Sequence, residues 1–203
     1  MKIAIIPARG GSRRIPRKNI RTFHGKPIIA YSILAAIEFG FDAVYVSTDE
    51  PAIANVAGAY GALTMARPEP LAQDEVGTQE VMAHAVAELM NRDRAIGFTD
   101  QVCCIYPTAP LMRLVDLERG RWELAMRGGS FAMSVGTDPL RDAGQFYWGR
   151  AGSFSARVPL MQPGTIMIPV PETHVCDINT PQDWERAELM YAKLQGANSH
   201  ATV

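Results

Sequence analysis

Residues 2–20 read KIAIIPARGGSRRIPRKNI, and the order of residue types in this stretch decides the architecture. Lys2–Ile6 is a short run rich in isoleucine that stops at Pro7, the pattern of a strand buried on both faces. From Ala8 to Pro27 the chain has a glycine pair, two prolines and no apolar period, so a long loop leaves the carboxyl end of that strand. A helix is predicted from Pro27 onward, with Ile28, Ile29, Ile33, Leu34 and Ile37 at helical spacing and Gly40 as its stop. Strand, loop and helix in this order begin an α/β unit.

The same alternation continues outward. Ala43–Ser47 is a second strand, followed by a helix that begins at Pro51 and is capped by Thr48 or Asp49. Ala62–Met65 is a third strand, and Thr78 is the expected cap of a helix carrying Val81, Met82, Ala85, Val86 and Leu89. Gln101–Tyr106 is a strand ending at Pro107. A helix through Leu117 and Leu124 stops at Gly128, and strands follow at Phe131–Val135, Gln145–Trp148 and Thr165–Ile168. Thr180 and Asp183 have capping-box spacing at the start of a last helix with Trp184, Ala187, Tyr191 and Leu194 on one face. The fold class is therefore α/β, with a mostly parallel sheet flanked by helices and ligands expected at the carboxyl ends of its strands. Residues 1–196 form one domain in this reading, and 197–203 a frayed polar tail.

Composition narrows the function. The 203 residues are 47% hydrophobic, enough for a sizeable core, but no apolar run is long enough to span a membrane. Pro7 and Arg9 interrupt the N-terminus too early for a secretion signal, and three cysteines make no disulfide framework. These features favour the cytoplasm. The net charge of −1 conceals an asymmetry: residues 1–37 carry eight Lys or Arg and no Asp or Glu, against 12 basic and 21 acidic residues in the remainder. A local anion such as a polyphosphate fits this block better than a long nucleic acid, which would favour a basic protein.

Several constellations at strand ends could carry chemistry. Neither a P-loop nor a dinucleotide fingerprint is present. Gly10, Gly11 and Ser12 nevertheless allow backbone N–H groups to approach a phosphate, and Arg9 and Lys18 could neutralise it; the alternative is a solvated basic loop. Asp177 and Asn179 offer oxygens suited to Mg²⁺, or are ordinary turn residues before a helix. Arg67 and Thr78 could face a base or sugar, or be a turn and a cap. The four histidines have no metal-ligand spacing, so zinc is not expected. No GxSxG accompanies a serine nucleophile, and Cys103 and Cys104 lie in an apolar strand that disfavours thiolate.

IPARGGSRRIPRKNI at 6–20 resembles the signature of the CMP-sugar synthetases, cytidylyltransferases acting on nonulosonic acids. VSTDE at 46–50, RPEPLAQD at 67–74 and DINTPQDW at 177–184 extend the resemblance along the chain. CCIYPTAPL at 103–111 and DAGQFYWG at 142–149 look most like the pseudaminic acid cytidylyltransferases. The resemblance implies a Rossmann-like nucleotidyltransferase sheet and transfer of CMP from CTP to the anomeric hydroxyl of an acidic nine-carbon sugar. It places Arg9, Gly10, Gly11, Ser12, Lys18 and Asn19 at the nucleotide, and Arg67 and Thr78 at the cytidine. Tyr106 and Gln145 would face the sugar, and Asp177 with Asn179 would hold Mg²⁺. Arg9, Lys18 and Asp177 carry the catalytic roles in this scheme, with no general base assigned.

Two departures stand out. Asn179 replaces a second aspartate common in the family, and only residues 137–141 stand where the family has a long dimerisation arm. A homodimer is implied by the family but put in question by that short connection. Three alternatives stay open: another keto-sugar acid (sialic, legionaminic or 3-deoxy-octulosonic), a CTP-binding protein with little turnover, and a nucleic-acid module. The last is disfavoured because the basic block lacks interleaved aromatics.

Overall fold

A computed structural model describes residues 1–92, 96–137 and 141–200, excepting the side chains of 197–200. The strands are β1 (Lys2–Pro7), β2 (Thr22–Phe23), β3 (Lys26–Pro27), β4 (Ala43–Thr48), β5 (Leu63–Ala66), β6 (Gln101–Ile105), β7 (Phe131–Val135), β8 (Asp142–Arg150) and β9 (Ile166–Pro169). The helices are α1 (Ile28–Phe39), α2 (Pro51–Ala59), α3 (Thr78–Asn91), α4 (Leu114–Arg127), α5 (Ala151–Ser155) and α6 (Pro181–His200). Seven strands form one sheet in the order β5-β4-β1-β6-β8-β7-β9, while β2 and β3 form a small separate ribbon. The contacts from β5 through β6 are parallel, as is β7 with β9. Only β8 runs against both of its neighbours. The expected mostly parallel sheet, with helices on its faces, is the sheet observed.

Alternation along the strands builds the two faces. Ala4 and Ile6 point with Val44, Val46, Cys103, Ile105, Phe146 and Trp148 into a core closed by α1, α2 and α4. Ile3 and Ile5 point with Val102, Cys104 and Tyr147 into a second core closed by α3 and α5. A strand covered on both sides must be apolar throughout, which explains the uninterrupted IAII and VCCI runs. A third cluster seats Ile15, Phe23 and Ile28 against Trp184 and Ala187 of α6, so the last helix clamps the long loop after β1. Phe23 meets the Tyr31, Trp184 and Tyr191 rings edge-on.

Several local expectations change. α2 is capped neither by Thr48 nor by Asp49: the Glu50 side chain accepts from the Ala52 N–H. Gly77, not Thr78, is the N-cap of α3, which leaves the Thr78 hydroxyl available elsewhere. α5, the ribbon and three short 3-10 turns lack a sequence period long enough to announce them. The capping box at α6 is present: Thr180 Oγ1 and Asp183 exchange hydrogen bonds, the Asp183 N–H donating at 3.2 Å. α6 keeps its helical backbone to His200, past the expected start of the tail, and 201–203 lie outside the described residues. Among the described residues no helix is long and apolar enough to cross a membrane.

Candidate active site

The loop after β1 is fixed at both ends before it can present a charge. The Ala8 N–H continues the β1–β4 ladder to the Ser47 carbonyl at 2.9 Å. Arg17, in the left-handed region at φ 53°, then turns the chain into the 3-10 turn Lys18–Ile20. Asn19 is buried, and its Nδ2 donates to the Arg9 carbonyl at 2.9 Å, tying the loop's end to its start. Its Oδ1 is buried without a hydrogen-bond partner among the described residues. Gly10 is needed for close approach: a Cβ there would stand 2.9 Å from the Glu50 Cβ. Its N–H donates to Asp49 Oδ1 at 3.1 Å, so Asp49 fastens the loop instead of capping α2. A Cβ on Gly11 would meet nothing within 4 Å, and the Ser12 N–H closes back on the Gly10 carbonyl at 2.9 Å.

The loop then meets the segment before α6. Lys18 Nζ donates to the Ile178 carbonyl at 2.7 Å, and Arg14 donates to Asn179 Oδ1 at 3.0 Å. Burial lowers the Lys18 pKa, an effect opposed by Asp177 and reinforced by Arg14 and Arg9. Asn179 Nδ2 donates to the exposed Asp177 carboxylate. On the far side Arg67, only 7% exposed, donates from Nη2 to the Ser47 carbonyl at 2.7 Å. Burial brings its pKa down to about 10, with Asp49 opposing.

These walls enclose a cleft of about 480 Å³ at the carboxyl ends of β1, β5 and β6. Arg9, Ser12, Lys18, Asn19, Arg67 and Thr78 line it together with Tyr106, Asp177 and Asn179. Gly10, Gly11 and Gln145, all expected at the site, do not line it. The Gln145 side chain is buried and donates to the His174 carbonyl at 2.6 Å.

Four residues that sequence reasoning did not single out complete the cleft or support it. Arg13 and Arg14 add two cations to its lining. Asp74 bridges Arg9 at 2.5 Å and Arg13 at 2.8 Å, a carboxylate among the cations nearest the loop. Asp142 accepts from the Tyr147 hydroxyl, and burial raises the pKa values of both groups. Asp74 and Asp142 each stand in motifs quoted above, but no spacing rule marks either as part of a site. Among the described residues no three His, Cys, Asp or Glu side chains gather to hold a metal.

A cleft lined by five cations thus lies where parallel strands end. The sequence pattern of the cytidylyltransferases matches residues 3–146, which is more than two thirds of the chain. The chain belongs to the cytidylyltransferase family. Among its relatives is the pseudaminic acid cytidylyltransferase of Campylobacter jejuni, 33% identical over 93% of this chain and 95% of the relative. The CMP-N,N'-diacetyllegionaminic acid synthase of Legionella pneumophila is 41% identical, over 55% of this chain and 47% of its own length. The fold matches that of CMP:2-keto-3-deoxy-manno-octonic acid synthetase, solved with CTP, at a TM-score of 0.73. That likeness covers 95% of this chain and 98% of the other at 16% identity. As a cytidylyltransferase, the chain has a cleft whose basic and acidic walls acquire distinct meanings.

Proposed function

We propose that this cytidylyltransferase transfers CMP from CTP to pseudaminic acid, with residues 1–196 acting as a single nucleotidyltransferase domain. The observation that carries the reading is the cleft itself, where Arg9, Arg13, Arg14, Lys18 and Arg67 converge while Asp177 faces them. In this reaction the sugar's anomeric oxygen bonds to the α-phosphorus of CTP and the bond to pyrophosphate breaks. Charge collects on the leaving pyrophosphate, so positioned cations lower the barrier with little covalent help. Arg9 offers a planar fork and Lys18 a point charge. The bond from Asn19 to the Arg9 carbonyl holds the backbone from which that fork is aimed. Because Asp74 pairs with Arg9 and Arg13, an incoming triphosphate exchanges with that carboxylate.

The donor set suits Mg²⁺, which takes one or two protein oxygens, keeps waters and shares substrate phosphates. Asp177 would supply the carboxylate, and Asn179 an amide oxygen released from Arg14. When bound, the ion would neutralise phosphate charge. A cytoplasmic location belongs to the same reading, because three unpaired buried cysteines suit a reducing compartment. The partners are CTP and the acidic sugar, with no role for nucleic acid or a membrane.

Identity over nearly the full length of the Campylobacter jejuni enzyme supports pseudaminic acid, and the local match to the legionaminic acid synthase supports the wider sugar class. Pyrophosphate release with CTP against a panel of nonulosonic acids tests the proposal. Pseudaminic acid is expected to give the highest kcat/KM. A preference for legionaminic, sialic or 3-deoxy-octulosonic acid would overturn the substrate, and CTP binding without pyrophosphate release would overturn the reaction.

A further inference from the structure

A line of hydroxyl groups runs from the cleft wall into the protein. Thr78 Oγ1 lies 3.4 Å from the Tyr106 hydroxyl, which lies 2.5 Å from the Tyr147 hydroxyl. Tyr147 donates to Asp142 Oδ2, and Asp142 Oδ1 accepts the Gly144 N–H at 2.8 Å. Thr78 and Tyr106 line the cleft, whereas Tyr147 is 3% exposed within the core. A strictly alternating strand would send Asp142 and Tyr147 to opposite faces, because they are five positions apart, an odd number. β8 prevents this with an irregularity. Met133 pairs with Tyr147 and Val135 with Asp142, so two steps along β7 match five along β8. Gly144, at φ 65°, lies within the extra residues.

Each hydroxyl has one proton, and this fixes the direction of the line. Both Asp142 oxygens accept, so the Tyr147 proton is committed to Asp142. Tyr147 can then only accept from Tyr106, which spends its own proton there and can only accept from Thr78. We propose that Asp142 and Tyr147 are positioning residues that turn the Thr78–Tyr106 wall into a pure hydrogen-bond acceptor toward the bound substrates. Such a wall takes a substrate hydroxyl or N–H and rejects a carboxylate or carbonyl oxygen. Neither positioning residue touches the substrate; both act through Tyr106.

The inference rests on the cleft being the place where the substrates bind, and its test separates the two claims. The variants are Tyr147→Phe, Tyr106→Phe and their combination, with thermal melting recorded for each. Tyr147→Phe keeps the ring that packs in the core and removes only the hydroxyl. It is expected to raise the dissociation constant for CTP or the KM for the sugar by about 2- to 12-fold, the scale of one hydrogen bond. In the Tyr106→Phe background the same change is expected to have no further effect, because its route to the substrate is gone. Asp142→Ala is expected to reproduce Tyr147→Phe.

A measurement on the free protein keeps the test independent of turnover. The Tyr147 hydroxyl proton is expected as an exchange-protected NMR resonance that Asp142→Ala abolishes. Additive losses in the double variant, parent-like constants for Tyr147→Phe, or survival of that resonance in Asp142→Ala would each overturn the proposal. Failure of every sugar to react would overturn the proposed function while leaving CTP binding and the NMR signal to judge the relay.

Discussion

The two halves of the sheet meet the cleft in different ways. In the half running β5-β4-β1-β6, one loop after β1 delivers Arg9, Arg13, Arg14 and Lys18 within ten residues of sequence. In the half containing β8, β7 and β9, the site is assembled from distant pieces. Asp142 sits on an irregular strand, while Asp177 and Asn179 lie just before α6, where a hydrogen bond from Lys18 to the Ile178 carbonyl ties their segment to the loop. A binding surface made by one local loop tolerates variation elsewhere, whereas one made across the fold depends on every element that aligns it. A similar contrast appears in charge: the first half presents five cations to the cleft with Asp74 among them, and the second presents Asp177.

The sharpest way to break the comparison is to remove the second half's metal candidate. Asp177→Asn is expected to bring Mg²⁺-dependent turnover below detection with an unchanged circular dichroism spectrum, because the carboxylate is exposed and supports no core. Full activity would show that the acidic wall serves another purpose. Conversely, Asn179→Asp is expected to lower the Mg²⁺ concentration giving half-maximal rate, since it supplies an anionic oxygen. An unchanged titration would remove Asn179 from the metal site.

Lys18→Ala tests the first half. A loss on the order of 10²-fold in kcat/KM is expected, comparable to deleting one preorganised charge contact. Near-parent kinetics would leave Lys18 as a tether to Ile178 and nothing more.

A smaller effect is expected where the halves differ in length from their relatives. The alignment with the Campylobacter jejuni enzyme extends over 225 positions, more than the 203 residues of this chain, so the relative has residues that this chain lacks. Residues 138–140 lie outside the described residues, but the six positions between β7 and β8 are too few for an arm. At about 3.3–3.6 Å per residue, the five residues 137–141 span under roughly 18 Å even when extended. Thr137 and Arg141 are moreover both held by Glu172, the latter at 2.8 Å. Sedimentation is expected to show weak self-association, with the sugar's KM raised more than that of CTP. A tight dimer through 137–141 would contradict this.

The mildest change is expected from Asp74→Asn, which removes the carboxylate that pairs with Arg9 and Arg13. The KM for CTP should fall by about two- to fivefold, the scale of a partly exposed ion pair. A rise would mean that Asp74 aims the arginines and does not compete for them.

By itself the sequence determined the strand and loop at residues 2–27, the parallel core and the cationic character of the site. Local cues suffice there: apolar runs mark buried strands, Pro7 and the glycine pair break them, and charges within one loop share one place. It also located Arg9, Ser12, Lys18, Asn19, Arg67, Thr78, Tyr106, Asp177 and Asn179, all of which line the cleft. Tertiary structure alone decided that Thr78 is freed from capping, that Gln145 turns toward His174, and that Asp74 sits on the arginines. It alone brought Asp142 beneath Tyr147, because period-two alternation separates these residues. Only the pairing of β8 with β7 places the extra residues that reunite them, and register between strands is set by packing across the sheet.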